Sequence, residues 1–203
     1  MGGILPPMLA LIAALVVSQD AQTTKIFDGK TLNGWTKVGG GDWTVENGAI
    51  VGRSKPGQQQ GLLVFKDPVK DFNATMKFKI SAGDSGFYFR VNLIDKDPFC
   101  EGFQVEIDTS AETGGIYETE GRGWVAFPDA KLHETSKYRA GEWADLIVRA
   151  NGDHYVVIVN GTKITDVRDE QGRREGRLAL QLHGNMEMDV MFKDIVLTPI
   201  PPK

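Results

Sequence analysis

Phe72-Asn73-Ala74-Thr75-Met76-Lys77-Phe78-Lys79-Ile80 alternates apolar and polar residues without a fault over nine positions. Successive side chains of a strand point to opposite faces, so the stretch predicts a strand with one buried and one wet face. That is the pattern of an antiparallel sheet. Outward from it, period-2 runs and turn signals dominate, and no helix-period stretch stands out beyond the first 21 residues. Asn47-Gly48 and Asn160-Gly161 each separate two short apolar-rich runs, as does Asn151-Gly152 followed by Asp153. Tight hairpin turns need positive φ, which Asn and Gly tolerate. Near the end, Met186, Met188, Val190 and Phe192 are apolar on even numbers and Ile195 and Leu197 on odd ones, which predicts a bulge near Lys193-Asp194. About a dozen strands joined by short turns predict an all-β fold, a two-sheet antiparallel sandwich with its apolar faces packed together.

The 203 residues fit one domain, and 41% hydrophobic with 25% charged residues can build an ordinary core. The net charge is −4 with acids and bases interspersed, so no basic stripe exists to neutralise a phosphate backbone and nucleic acid is not expected as a partner. Met8–Val17 is an uninterrupted apolar run, short for a membrane span and of the length of a signal-peptide core. We expect residues 1–21 to be an export signal cleaved after Ser18 or Ala21, leaving a periplasmic or secreted protein with no stable membrane insertion. The single cysteine, Cys100, predicts no internal disulfide and reads as a semi-buried strand-end residue.

Three alternating segments collect chemistry on their polar faces. Phe87-Tyr88-Phe89-Arg90 opposes its phenylalanines to Tyr88 and Arg90. Phe103–Asp108 sets Gln104, Glu106 and Asp108 against three hydrophobes, and Leu178–His183 sets Ala179, Gln181 and His183 against three leucines. If these strands share a sheet, an Arg, two carboxylates, a His, a Tyr and two amides converge. Glu106 and Asp108, two apart on one strand, lie about 7 Å apart by strand rise, near glycosidase separations. Jelly-roll endo-β-glucanases carry Glu-x-Asp-x-x-Glu, and here the third acid, Glu112, comes one residue late. Glu106, Asp108 and His183 also form a candidate set for a divalent cation. Gly83-Asp84-Ser85-Gly86 resembles a serine-protease nucleophile box, but every His lies downstream, so it reads as a turn leading into a strand. His133 and His154 read as loop and exposed-strand residues; Trp35, Trp43 and Trp143 read as packing. Trp124, in Gly121-Arg122-Gly123-Trp124, is a loop aromatic suited to either packing or binding.

Six boxes in order now identify a family. They are Ile26–Trp35 (IFDGKTLNGW), Trp43–Gly48 (WTVENG), Ser85–Arg90 (SGFYFR), Gly102–Asp108 with Gly114-Gly115-Ile116-Tyr117, Gly176–His183 (GRLALQLH) and the closing strand Val190–Leu197. The stretch from residue 25 to 200 resembles the 3-keto-disaccharide hydrolase family. The resemblance implies a concanavalin A-like, jelly-roll sandwich acting on glycosides oxidised at carbon 3, so the implied partner is an oxidised (3-keto) disaccharide. Many members read Tyr-Glu-x-Gln-Ile-x-Asp where this chain reads Phe103-Gln104-Val105-Glu106-Ile107-Asp108, with amide and acid exchanged. A carbonyl at carbon 3 acidifies the carbon-2 proton, so the carbon-1 bond can break by elimination, and water then adds to the enone. That route needs a base, a group to meet enolate charge and help for the leaving oxygen. The expected roles are Glu106 or His183 as base, Arg90 or a bound cation at the enolate, and Asp108 orienting its neighbours. Tyr88, Gln104, Tyr117, Trp124 and Gln181 are the expected sugar contacts. A lectin-like carbohydrate-binding module and a β-glucanase remain the alternatives.

Overall fold

The computed structural model describes residues 22–201. The expected signal segment lies outside the described residues. Among the described residues, no helix is long and apolar enough to cross a membrane. Among the described residues, fifteen strands and one short helix follow one another. They are β1 (Thr24–Lys25), β2 (Trp35–Gly39), β3 (Asp42–Glu46), β4 (Ala49–Ser54), β5 (Gly61–Phe65), β6 (Phe72–Ala82), β7 (Asp84–Leu93), β8 (Cys100–Asp108), β9 (Ile116–Thr119), β10 (Gly123–Ala126), α1 (Ala130–Ser136), β11 (Ala144–Asn151), β12 (His154–Val159), β13 (Thr162–Arg168), β14 (Arg177–Leu182) and β15 (Met188–Pro199). One sheet runs β13-β12-β11-β6-β15-β4-β3, with β1 on β15; the other runs β10-β9-β8-β7-β14-β5-β2. Every strand pairing within them is antiparallel.

The alternation of β6 is obeyed. Phe72, Ala74, Met76, Phe78 and Ile80 are buried, and the intervening polar residues are not. They meet Phe87, Phe89, Phe103, Val105, Leu178 and Leu180 of the second sheet in one core between the layers. Asn47-Gly48 and Asn160-Gly161 turn their hairpins with positive φ at both residues. In β15 the register shifts between Lys193 and Val196, where Asp194 has φ +54°; this is the bulge that the parity change predicts. The helix α1 is a departure from the sequence expectation. It is capped by Asp129, whose side chain accepts from the Lys131 and Leu132 amides, and seven residues are too few to show a helical period.

The two sheets differ on their outer faces. In the first, outward residues of β6 and β11 are wet, whereas β5, β7 and β8 of the second are buried on both faces. Part of that second outer face is apolar. Leu62, Val64, Tyr88, Val91, Cys100 and Ala179 cluster there with Phe99 of the β7–β8 loop. Cys100 is a buried free thiol in that cluster, and burial pushes its pKa up to about 12, so it is inert packing. The rest of the face is polar and carries the site.

Candidate active site

The ladder between β7 and β8 places Asp84 opposite Asp108, Gly86 opposite Glu106 and Tyr88 opposite Gln104. On the other side of β7, Ala179 of β14 pairs with Tyr88, which brings Gln181 alongside. Alternation turns Asp84, Tyr88, Gln104, Glu106 and Gln181 to the outer face of the sheet, while Phe87, Phe103 and Val105 anchor the same strands in the core. Gln104 Nε2 donates to Glu106 Oε2 at 2.7 Å and to Gln181 Oε1 at 3.0 Å. Gln181 Nε2 passes the chain on to Gln60 Oε1 at 3.2 Å, and the Tyr88 and Thr119 hydroxyls bond each other at 2.8 Å. Buried amides locked in a chain cannot rotate freely, so the wall is preorganised.

Gly86 is required by this wall. A Cβ there would lie 2.5 Å from Gln104 Cγ and 2.8 Å from its Nε2. Gly86→Ala is therefore expected to eject Gln104 from between Glu106 and Gln181. It should lower activity at least as steeply as it lowers the urea midpoint; a variant with wild-type activity would show the amide chain to be dispensable.

A cavity of about 380 Å³ opens on the wall, within the range of small-molecule sites. Glu106, Asp84, His183, Tyr117 and Trp124 all line it. A larger hollow of about 610 Å³ lies elsewhere, near Pro68 and Leu93, but of its charged residues Glu175 and Arg177 are exposed and Glu101 is half-buried, and no buried polar set faces it. The smaller cavity is the one that the buried polar set faces.

Its electrostatics centre on two acids. Burial first, then the negative charges of Asp84, Asp108 and Glu112, push the Glu106 carboxyl up to about 9. Asp84 is raised too, chiefly by burial, with His183 pulling it down. Asp84 lies close enough to raise the Glu106 carboxyl further, and Asp84 Oδ1 is buried without a hydrogen-bond partner. Two facing carboxyls cannot both ionise cheaply, so burial and mutual repulsion favour a proton retained within the pair. His183 Nδ1 lies 2.9 Å from the Gly184 carbonyl oxygen, which can only accept. Nδ1 therefore carries a hydrogen, and it is Nε2 that has the lone pair whenever the ring is neutral.

Seven of the residues singled out from the sequence thus surround one cavity: Tyr88, Gln104, Glu106, Tyr117, Trp124, Gln181 and His183. Two do not join them as expected. Arg90 has φ +55° at a register shift between Phe89 and Asn92, so the alternation breaks and its side chain turns into the sandwich. There it is fully buried and donates to the carbonyls of Lys70, Gly152 and Arg173, to the Tyr155 hydroxyl and to Asp71. It closes the end of the core and cannot meet an enolate in the cavity. Asp108 is buried beside the acids, but its carboxylate is held by the Ser110 and Thr113 hydroxyls of its own turn. With its carboxylate held in its own turn, Asp108 does not join Glu106 and His183 in the cation site considered from sequence. Among the described residues, no three His, Cys, Asp or Glu side chains converge to hold a metal ion. Asp84, Gln60, Thr119 and Glu112 line the cavity without having been expected there.

A profile of the 3-keto-alpha-glucoside-1,2-lyase-like domain matches residues 22–198, nearly the whole described chain. The chain belongs to this family. A protein of Bacteroides thetaiotaomicron named 3-keto-disaccharide hydrolase is 33% identical over 144 residues, 66% of this chain and 48% of the relative. The chain thus spans about half the length of that relative. Among solved structures, a Parabacteroides distasonis protein provisionally classed as a glycosyl hydrolase superposes with TM-score 0.66 at 23% identity, over 88% of this chain and 94% of the other. A Bacillus subtilis protein with a galectin-like fold superposes with TM-score 0.64 at 10% identity, over 87% and 94%. At such identities these likenesses speak for the fold, and the family's jelly-roll sandwich is what β1–β15 build.

Proposed function

We propose that the protein cleaves 3-keto-glycosides by elimination and hydration, with His183 as base and Glu106 as acid. The observation that carries this reading is the buried Asp84–Glu106 carboxyl pair beside an imidazole bonded through Nδ1 alone, in an amide-lined cavity. A carboxyl that stays protonated near neutral pH is a poor base and a ready donor. This favours His183 over Glu106 as the base. His183 Nε2 takes the carbon-2 proton, the freed electron pair forms the carbon-1–carbon-2 double bond, and the carbon-1–oxygen bond breaks. The departing oxygen takes the Glu106 proton. Asp84 steadies the imidazolium that has formed. With Arg90 elsewhere, the carbon-3 oxygen is left to the neutral donors that line the cavity. In the return half, Glu106 takes a proton from the water adding to carbon 1, and His183 returns its proton to carbon 2. Both groups end as they began, and the net reaction is hydrolysis.

Incubation with a 3-keto-disaccharide should release the 3-keto sugar, at a rate that a chelator leaves intact because no ligand set converges in the cavity. His183→Ala should lower kcat by about 10²- to 10⁴-fold. Binding of unoxidised glycan with no turnover of any keto-glycoside would instead make the protein a binding module, and a full rate in His183→Ala would remove the imidazole from the mechanism.

A further inference from the structure

Outside the acid pair, the cavity runs out onto aromatic rings. Tyr117 of β9 and Trp124 of β10 are register partners, their rings 5.5 Å apart and perpendicular. Trp124 in turn meets Phe127 edge to face at 4.7 Å. Tyr117 and Trp124 line the cavity, and Phe127 extends the row one ring beyond it. Trp124 is 38% exposed and Phe127 59%, so two large apolar rings stand in water beside a polar cavity. Such exposure is costly to maintain and marks a binding surface when it adjoins a site.

The row is held rigidly. The Trp124 ring lies against the Gly115 backbone, where a Cβ would come within 2.7 Å of it. The β9–β10 hairpin is pinned by Arg122, which grips the buried Asp169 bidentately at 2.8 and 2.6 Å and also pairs with Glu118. A rigid shelf loses little entropy when a flat group settles on it. The opposite end of the cavity is different in kind. Through Gln60, Pro98 and His183 it joins a second hollow of about 500 Å³, lined by Gln58, Gln59 and Asn185. The groove therefore has an amide end and an aromatic end, with the acids and His183 between.

We propose that Tyr117, Trp124 and Phe127 form the subsite for the group that leaves, and that this group presents a flat apolar face: the carbon–hydrogen face of a second pyranose or an aryl ring. The proposal rests on the keto-glycoside reading above. The ketosugar, rich in hydroxyls, takes the amides, and the leaving ring stacks on the shelf.

The test compares three substrates, methyl 3-keto-α-glucoside, an α-linked 3-keto-glucose disaccharide and 4-nitrophenyl 3-keto-α-glucoside, in the wild type, Phe127→Ala, Trp124→Ala and Phe127→Tyr. In Phe127→Ala, KM for the ring-bearing substrates should rise about fivefold to tenfold more than KM for the methyl glycoside, with kcat within twofold. Phe127→Tyr should restore it, and Trp124→Ala should show the same selectivity. A selective loss with the disaccharide alone assigns the shelf to a pyranose, and one with the nitrophenyl glycoside alone to an aryl group. Equal changes for all three substrates, or none, overturn the proposal. If the wild type turns over no keto-glycoside, the functional reading has failed, and calorimetric titration with the unoxidised disaccharide and 4-nitrophenyl α-glucoside decides the shelf. Binding weakened at least fivefold in Phe127→Ala upholds a ring-binding shelf; equal binding, or none, overturns it.

Discussion

Arg90→Ala is expected to lose about 3–5 kcal/mol of folding stability, a large share of the roughly 5–15 kcal/mol that holds a domain together. The reason is the completeness of its bonding. Nη1 donates to Gly152 O at 2.8 Å, Tyr155 Oη at 2.9 Å and Arg173 O at 2.6 Å, while Nη2 reaches Asp71 Oδ1 at 3.0 Å. The guanidinium also stands 5.1 Å from the centre of the Tyr155 ring. Those acceptors come from the segment before β6, the β11–β12 turn, β12 itself and the loop before β14, so one side chain ties both sheets at their shared end. Removing it strands buried carbonyls and a carboxylate, each of which then lacks a donor. Arg90→Lys keeps the charge but cannot fork to so many oxygens, and an intermediate loss is expected. Urea unfolding followed by tryptophan fluorescence would measure both. A soluble Arg90→Ala protein with the wild-type midpoint and no activity would return Arg90 to the chemistry.

Arg90 also shows where reading the sequence by alternation stops. Tyr88 and Arg90 are two apart, and a regular strand puts them on one face. From Tyr88 backward the rule holds, through Gly86 to Asp84, so the second acid of the pair could have been found by counting. It was missed because Gly83-Asp84-Ser85-Gly86 has the composition of a turn, whereas β7 begins at Asp84. From Tyr88 forward the rule fails, because Arg90 adopts a left-handed φ and the register slips before Asn92. Nothing in Phe89-Arg90-Val91 announces that, since a bulge is decided by what packs around it. The sandwich itself was legible, because Phe72–Ile80, the Asn-Gly turns and the parity change near Asp194 are local signals with local causes. The site was legible wherever strands stayed regular: Gln104, Glu106, Gln181 and His183 came together as their spacing required. Gln60, from the segment just before β5, gave no such sign. It enters the wall through bonds to Gln181 and to the Pro98 carbonyl, both far away in sequence.

Glu106→Gln is expected to lower kcat by about 10²- to 10⁴-fold and, in the same protein, to raise stability at alkaline pH. Glutamine copies the shape of the protonated acid. Its amide can donate to Asp84 and accept from Gln104, so the wall should persist, but it has no proton to give the leaving oxygen. The sign of the stability change follows from linkage. The ordinary value of a glutamate, 4.5, applies to Glu106 when unfolded, and burial with the nearby acids pushes it up to about 9 when folded. Between those values the folded state holds a proton that the unfolded state has released, so folding stability falls as pH rises through that window. The contribution is fully present below the unfolded value and is lost on passing the folded one. Glutamine does not titrate, so the variant should match the wild type near pH 4 and exceed it increasingly toward pH 9. Wild-type kcat should fall over the same alkaline limb, as Glu106 gives up its proton, and the variant's residual rate should lack that limb. Urea midpoints and kcat measured across this range on both proteins give the two readings together. Midpoints that run parallel at every pH would mean that Glu106 ionises normally, and the acid would then have to be sought at Asp84 or Glu112. A stabilised but slow variant would show that the fold carries this buried proton at a cost to itself, which only a use in chemistry explains.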